Sequence, residues 1–316
     1  MKLSVCMPCY NAENFVEQAV KSLLQIDDME IVVVDDGSKD NSLAILSKIA
    51  ATDSRVKLLR QQNHGAAEAR NKAFASSVGD YVLFFDADDY LYPGSISALL
   101  DAATPDRVCV ASWLKFTGQP PAAPCADPDS LEQNSSGLEW IRRRWIHGKS
   151  LTFVGSILVP RRYIERFGGW DTRLSLLDDM PFYTRIFANC PEVVCVSGAR
   201  YGYRQHFLPR ISTEAGKRSE ESAYLAVTSA AEHLSKADDS QRTMLACAAI
   251  LKAFYYAYFL ANPALAKSAL DLSLTYGAVT LSPPGGRLRL LLYRLFGFEL
   301  SAHIHARLSK ILGRTA

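Results

Sequence analysis

The chain has 316 residues, of which 48% are hydrophobic and 22% charged. This composition allows a sizeable core and excludes disordered, collagen-like and disulfide-scaffold classes. The 35 basic and 33 acidic residues give a net charge of +2, far below that of a general nucleic-acid binder, so we expect no nucleic-acid partner. The seven cysteines, together with an opening that lacks an apolar signal stretch, favour a cytoplasmic location.

Apolar runs alternate with segments of helical spacing over the first hundred residues. The runs predict strands at 3–8, 30–34, 56–59 and 81–85, and the spacing predicts helices at 11–25, 40–51 and 65–77. Unbroken apolar runs are typical of parallel strands that helices cover on both faces. Repeated strand–helix units therefore indicate an α/β fold with a doubly wound, mainly parallel sheet.

The pattern changes after a further predicted strand at 106–113. Loop 119–128 is rich in proline and alanine, and the predicted elements beyond it are helix 138–146, strand 156–160, helix 179–188 and strand 193–197. From about residue 214 the pattern is purely helical, with no run of 18 uncharged apolar residues that would predict a membrane-spanning helix. We divide the chain at 1–115, 116–213 and 214–316.

The last segment, 285–316, contains six Lys or Arg residues and one acid, Glu299. Helical spacing places four apolar residues on one face, namely Leu300, Ile304, Leu308 and Ile311. This composition is typical of an amphipathic helix that lies on an anionic membrane surface. The alternative is the solvent-exposed face of a helix that packs on its own bundle, and the sequence leaves both open.

Carboxylates cluster where the predicted strands end. Asp36 follows the second strand, and Asp86 and Asp88 follow the fourth. In an open parallel sheet, ligands bind outside the carboxyl ends of the strands. The Asp86-Ala87-Asp88 pattern is suited to a hard cation such as Mg²⁺ or Mn²⁺ whose shell is completed by phosphate oxygens. Asp89 has a simpler alternative as a helix N-cap.

These motifs occur in a characteristic order. CMPCYNAENF, IVVVDDGSKDNS, HGAAEARNKAF and YVLFFDADD resemble the Rossmann-like nucleotide-sugar half of family 2 inverting glycosyltransferases, which have the GT-A fold. GGWDTRLSLLDDMPFYTRI and YGYRQHFLPRIST extend the resemblance to about residue 210. The resemblance implies hexosyl or N-acetylhexosaminyl transfer from a nucleotide sugar, most often a UDP-sugar, with Mn²⁺ or Mg²⁺ as cofactor. The implied acceptor is a surface glycan or lipid-linked glycan at the inner face of the cell membrane.

The resemblance also implies a role for each matching residue. Nucleotide binding is assigned to Pro8, Tyr10, Glu13, Asp36, Arg70 and Asp86, with Asp36 accepting from the uracil imide. Asp88 and His206 are assigned to the metal, and Asp179 is the general base. The phosphate and acceptor side is assigned to Asp178, Arg204 and Trp170. Arg70 could instead cap its helix, His206 could be a surface histidine, and Trp170 could belong to the core.

Two other functions compete with glycosyl transfer. A D-x-D phosphotransferase would carry Thr or Val two residues beyond the second aspartate, where Tyr90 stands here. A nucleotide- or glycan-binding scaffold without catalysis would not need Asp86, Asp88, Asp179 and His206 together. The C-x-x-C formed by Cys6 and Cys9 is a redox or zinc half-site by pattern, but its place in the first strand favours packing.

Overall fold

The computed structural model describes residues 2–122, 124–130, 133–151, 153–205, 216–284 and 287–311. The strands in these ranges are β1 (Leu3–Cys9), β2 (Met29–Asp35), β3 (Val56–Arg60), β4 (Tyr81–Phe84), β5 (Tyr90–Leu91), β6 (Arg107–Thr117), β7 (Ile157–Pro160) and β8 (Glu192–Gln205). The helices are α1 (Val16–Leu23), α2 (Ser42–Thr52), α3 (Ala66–Ala75), α4 (Ser95–Ala102), α5 (Gly137–Trp145), α6 (Arg161–Phe167), α7 (Asp179–Ala188), α8 (Lys217–Ala237), α9 (Gln241–Tyr258), α10 (Pro263–Tyr276) and α11 (Arg287–Ile311).

The strands form one sheet in the order β3-β2-β1-β4-β7-β6-β8-β5. The four strands predicted in the first hundred residues are parallel neighbours, with Val5 of β1 paired to Ile31 of β2 and Leu83 of β4. β7 then enters antiparallel between β4 and β6, and β6 and β8 are again parallel. The predicted α/β fold with a doubly wound, mainly parallel sheet in its first half is confirmed.

Several elements differ from the prediction. β8 extends to Gln205 and β6 to Thr117, since the two strands keep pairing beyond a register shift between Ala111 and Ser112, up to Thr117 and Gln205. β5, α4 and α6, which have two, eight and seven residues, were not predicted. The division of the chain at residues 115 and 213 stays a prediction.

The core lies on both faces of the sheet because side chains alternate along each strand. Val32 and Val34 of β2 face one apolar cluster, and Ile31 and Val33 face the other. Cys6 and Cys9 are both buried and free, and burial raises the pKa of each thiol to about 12. The packing interpretation of this pair is therefore supported, because a protonated buried thiol is inert.

The C-terminal region is helical, as predicted. α11 changes direction at Gly297, where φ is 75°, and Phe298 beyond this break packs on the tyrosines Tyr255 and Tyr256 of α9. Leu300, which the spacing placed on the apolar face, is 51% exposed. The side chains of Leu308 and Ile311 lie outside the described residues. In the part of the chain that the structure describes, no helix is both long and apolar enough to cross a membrane.

Candidate functional site

Asp36 lies directly beyond β2 and is 3% exposed. Its Oδ1 accepts hydrogen bonds from Gln61 Nε2 at 2.8 Å and from the His64 amide at 2.9 Å. Its Oδ2 accepts from the Gly65 amide at 2.9 Å. Asp36 thus fixes the loop that leads into α3 and leaves about one of its four acceptor positions for a ligand. Its role toward a uracil imide stays a prediction.

The loop after β4 presents three aspartates in different environments. Asp86 and Asp88 are partly exposed at the rim of the sheet, whereas Asp89 is fully buried. Asp89 accepts hydrogen bonds from the Tyr201 hydroxyl and, at 2.9 Å, from the Arg204 amide. Burial raises the pKa of Asp89 well above its ordinary value. Asp89 therefore fastens this loop to β8 rather than capping a helix, while the other two carboxylates keep some contact with solvent.

Arg70 of α3 is the centre of the site and is 5% exposed. Its guanidinium donates to Asp86 Oδ1 at 2.8 Å and to Asp178 Oδ2 at 2.7 Å. Burial alone would lower the pKa of Arg70, but the carboxylates of Asp178 and Asp86 raise it above its ordinary value. Arg70 joins the donor-side loop to the start of α7, so the helix-cap alternative does not describe its contacts.

Asp178 and Asp179 open α7. Burial raises the pKa of Asp178, and Arg70 partly offsets this rise. Burial raises the pKa of Asp179 to about 7, and the neighbouring charge of Asp178 adds to the rise. A carboxylate whose pKa lies near the working pH has the properties of a general base.

Trp170 is 3% exposed and stacks on Phe182 of α7 with ring centroids 4.2 Å apart. The guanidinium carbon of Arg70 lies 4.4 Å from the centroid of the same indole. Asn71 holds the backbone of Trp170, accepting from its amide at 2.8 Å and donating to its carbonyl at 2.9 Å. Trp170 is a core residue that supports Arg70, while its predicted contact with an acceptor stays a prediction.

Arg204 is buried, with 3% of its surface exposed. Its guanidinium lies between the rings of Phe15 and Phe116, at 5.1 and 4.7 Å from their centroids. It donates to the carbonyl of Asp88 at 2.6 Å and also to the carbonyl of Gly118. In this structure Arg204 supports the Asp88 loop from behind, and its predicted contact with phosphate stays a prediction.

The residues predicted around the base and ribose lie beyond β1 or at its end. Tyr10 is 43% exposed, and Pro8 is half-buried nearby in the chain. Glu13 accepts from the amide and the side chain of Asn41 at 2.9 and 2.8 Å. Tyr10 thus presents an exposed aromatic surface at the rim, whereas Glu13 fixes the start of α2.

A cavity of about 300 Å³ is lined by His64, Glu68 and Thr172. It lies between the beginning of α3 and the segment that follows Trp170. His64 connects this cavity to Asp36 through the hydrogen bond of its amide. This cavity therefore adjoins the loop that Asp36 fixes and the segment that contains Thr172.

The metal prediction depends on few groups. His206 lies outside the described residues. Among the residues that the structure describes, no group of three or more His, Cys, Asp or Glu side chains is placed to hold an ion. Asp88 and Asp86 nevertheless offer partly exposed carboxylates at the rim, and Mg²⁺ commonly takes one or two carboxylates together with substrate phosphates. The donor set fits a cation of this kind.

Several residues of the site were not predicted. Asn71, Gln61 and Tyr201 each hold a functional segment through hydrogen bonds. Asn71 lies inside the HGAAEARNKAF motif, and this position could have marked it as a site residue. Its partner, Trp170, lies 99 residues away in the chain. No local sequence pattern predicts a contact between residues so far apart in the chain.

The fold and the site together define a class of α/β protein in which carboxylates lie at the carboxyl ends of parallel strands. A protein-family model described as glycosyl transferase family 2 matches residues 4–166, about half of the chain. The chain belongs to this family.

Individual relatives agree with this assignment. The chain is 35% identical over 158 residues to the uncharacterized glycosyltransferase YibD of Escherichia coli K12, covering 46% of each chain. It is 28% identical over 211 residues to the uncharacterized glycosyltransferase EpsJ of Bacillus subtilis 168, covering 65% of this chain and 61% of that one. The match thus spans less than two thirds of the length of these curated relatives.

A solved structure shares the fold. The crystal structure of S. aureus TarS 1-349 in complex with UDP-GlcNAc superposes with a TM-score of 0.71 and 20% sequence identity, covering 99% of this chain and 93% of that one. The predicted GT-A fold is confirmed.

Proposed function

We propose that this protein transfers a sugar from a nucleotide sugar, with a UDP-sugar as the leading candidate, to an acceptor hydroxyl with inversion at the anomeric carbon. The observation that carries the proposal is the environment of Asp179, a half-buried carboxyl with a pKa of about 7. Asp179 directly follows Asp178, and Arg70 pairs with both Asp178 and the donor-side Asp86. Family membership supports the reaction class. The product we assign to it is a cell-surface polysaccharide or a lipid-linked glycan.

In this proposal Asp179 takes the proton from the acceptor hydroxyl as that oxygen attacks the anomeric carbon. The new bond forms on the face opposite the nucleoside diphosphate, whose bond to the sugar breaks. Because the carboxylate form is required, transfer increases as the pH rises through about 7. One base suffices for inversion, since no covalent sugar–enzyme intermediate forms.

The donor would bind along the rim of the sheet. Asp36 is rigidly held by three donors and is suited to accept from an imide, and Tyr10 offers an exposed ring at the end of the neighbouring strand. The presence of UDP-GlcNAc in the TarS complex is consistent with a uridine nucleotide, and we propose a hexosyl or N-acetylhexosaminyl donor.

Asp88 would hold Mn²⁺ or Mg²⁺, with Asp86 beside it and His206 as a further predicted ligand. Such an ion neutralises charge on the leaving diphosphate. The chain's own contribution is to keep these carboxylates in place, through Asp89 bonded to Tyr201 and through Arg70 bonded to Asp86.

We propose a glycan or lipid-linked acceptor and peripheral contact of 285–316 with the inner face of the cell membrane. A relative that is 28% identical over 190 residues is the GalNAc(5)-diNAcBac-PP-undecaprenol beta-1,3-glucosyltransferase of Campylobacter jejuni, which supports a lipid-linked acceptor. Leu291 and Leu295, one helical turn apart on α11, are 52% and 64% exposed. Exposed apolar side chains on a basic helix favour an anionic bilayer.

Vesicle sedimentation tests the membrane contact. Wild type should sediment with phosphatidylglycerol vesicles and less with pure phosphatidylcholine, and the double change Leu291→Ser and Leu295→Ser should abolish sedimentation. Leu274→Ser is the matched control, because Leu274 is 63% exposed on α10 outside the basic segment. Equal sedimentation of the double variant and wild type would refute this contact.

A thermal-shift panel tests the donor site. UDP, GDP, dTDP, ADP and CDP are added with and without Mn²⁺ to wild type and to Asp88→Asn. A ligand at a hundredfold its Kd stabilises by about 2.7 kcal/mol, so a uridine nucleotide should raise Tm in the presence of metal and lose this effect in Asp88→Asn. UDP-sugars that raise Tm are then tested for UDP release. Binding without release or transfer to any acceptor would favour the non-catalytic scaffold, and no binding at all would refute the proposal.

A further inference from the structure

The segment between α6 and α7, residues 168–178, carries the acceptor-side residues that precede Asp179 and has no regular secondary structure. We call it the acceptor-side segment. Leu177 in this segment has a φ of 58°, a left-handed conformation that is unfavourable for a non-glycine residue. Such a backbone persists only where other contacts determine it, so the groups that hold the segment also fix the place of Asp179.

Asn71 of α3 holds the beginning of the segment. Its side-chain amide makes two hydrogen bonds to the backbone of Trp170, at 2.8 and 2.9 Å. The approach is close, because a Cβ on Gly169 would lie 2.5 Å from Asn71 Oδ1. Any side chain at 169 would therefore force the Asn71 amide or the segment itself to move.

Arg70, the preceding residue, holds the end of the segment. Its bond to Asp178 Oδ2 is 2.7 Å long, and its second bond, to Asp86, connects the same guanidinium to the donor side. The middle of the segment is held from α8, where Ser222 Oγ accepts from the amides of Ser175 and Leu176 at 2.8 and 2.9 Å. Two consecutive residues of α3 thus contact both ends of the segment.

We propose that Arg70 and Asn71 are positioning residues that hold the acceptor-side segment, and with it the carboxylate of Asp179, at a fixed place relative to the donor-side Asp86. This inference rests on the proposed function, because it concerns the base of that reaction. Asn71 acts through the backbone of Trp170, and Arg70 acts through Asp178. This positioning role is separate from the nucleotide contact that the sequence analysis predicts for Arg70.

The two residues differ in charge, and so should their effects on the pH profile. The charged and titratable groups that face Asp179 are Asp178, Asp86, Arg70 and the Tyr183 hydroxyl. Removing the positive charge of Arg70 leaves the carboxylates unopposed, which raises the pKa of Asp179 further. Removing the Asn71 amide changes position without changing charge.

Hydrogen–deuterium exchange tests the positioning without requiring turnover. Asn71→Ala and Arg70→Gln should speed amide exchange in residues 168–178, while Arg70→Lys should keep exchange nearer to the wild-type rate. The matched controls are Asn189→Ala, which removes an amide bonded to a helix carbonyl, and Arg162→Gln, which removes an exposed arginine paired with Asp106. Unchanged exchange in residues 168–178 of both site variants would overturn the inference.

Kinetics with the UDP-sugar that the panel identifies supply the second readout. Asn71→Ala should lower kcat at least about tenfold, as small misplacements of a reacting group do, with little change in donor KM and an unchanged pH profile. Arg70→Gln should lower kcat and move the acidic limb of the profile to higher pH, and Arg70→Lys should restore part of both. If the fall in kcat of every variant were proportional to its fall in Tm, with no change in the pH profile, the role would be merely structural and the inference would be overturned. If wild type shows no transfer, the proposed function fails, whereas the exchange result still decides whether α3 holds the segment.

Discussion

Asp179→Asn should make the folded protein more stable at alkaline pH while it abolishes transfer. The carboxyl is partly buried next to Asp178, and its pKa rises from 3.8 to about 7. At about 1.4 kcal/mol for each unit of pKa, this rise lowers the free energy of unfolding by about 4 kcal/mol when the group is ionised. Because the side chain keeps some contact with solvent, we expect about half of this, or about 2 kcal/mol.

The pH dependence follows from proton linkage. Below about pH 4 the carboxyl is protonated in both the folded and the unfolded chain, so the substitution has little effect. Between pH 4 and pH 7 the folded chain holds a proton that the unfolded chain has released, and wild-type stability falls as the pH rises. Above about pH 7 the full difference is present.

Thermal unfolding at pH 5 and pH 8 measures this effect. The Asn variant should melt about 3 °C above wild type at pH 8, and by clearly less at pH 5. Asp101→Asn, at an exposed position of α4, is the control and should shift Tm little at either pH. A variant that is less stable than wild type at pH 8, or that shows the same difference at both pH values, would refute the reasoning.

Three further substitutions test how the site is held. Asp36→Asn places an amide among the donors of Gln61, His64 and Gly65. It should lower the free energy of unfolding, measured in urea, by about 1–3 kcal/mol and abolish the UDP thermal shift. A variant with wild-type stability and a wild-type UDP shift would contradict the assigned contacts. Tyr201→Phe leaves Asp89 without its hydroxyl donor and should also cost about 1–3 kcal/mol, and an unchanged urea midpoint would count against this bond. Gly169→Ala should lower kcat more than it lowers Tm, since the added Cβ collides with the Asn71 amide that holds the acceptor-side segment; a wild-type kcat would show that the collision does not disturb the segment.

The sequence predicts most of the fold because its signals there are local. Strands β1 to β4 are apolar runs, and the prediction for α7 has the same bounds as the helix, Asp179–Ala188. α11 shows where spacing fails. The spacing gives no sign of the break at Gly297 or of the packing of Phe298, the next residue, on Tyr255 and Tyr256 of α9.

The contacts within the site depend on residues that are far apart in sequence. Arg70 and Asp178 are separated by 108 positions, and Asp89 and Tyr201 by 112. The motifs predict that these residues lie at one rim of the sheet, but no local pattern indicates that Arg70 bridges two carboxylates. The same holds for Arg204, whose burial between Phe15 and Phe116 depends on three distant segments.

A crystal structure of the protein with UDP and Mn²⁺ tests the central claim most directly. We predict the uracil ring against Asp36, the ion on the carboxylate of Asp88, and the diphosphate next to that ion. UDP bound elsewhere on the chain, or an ion that avoids Asp88 while the nucleotide is present, would contradict the proposed site.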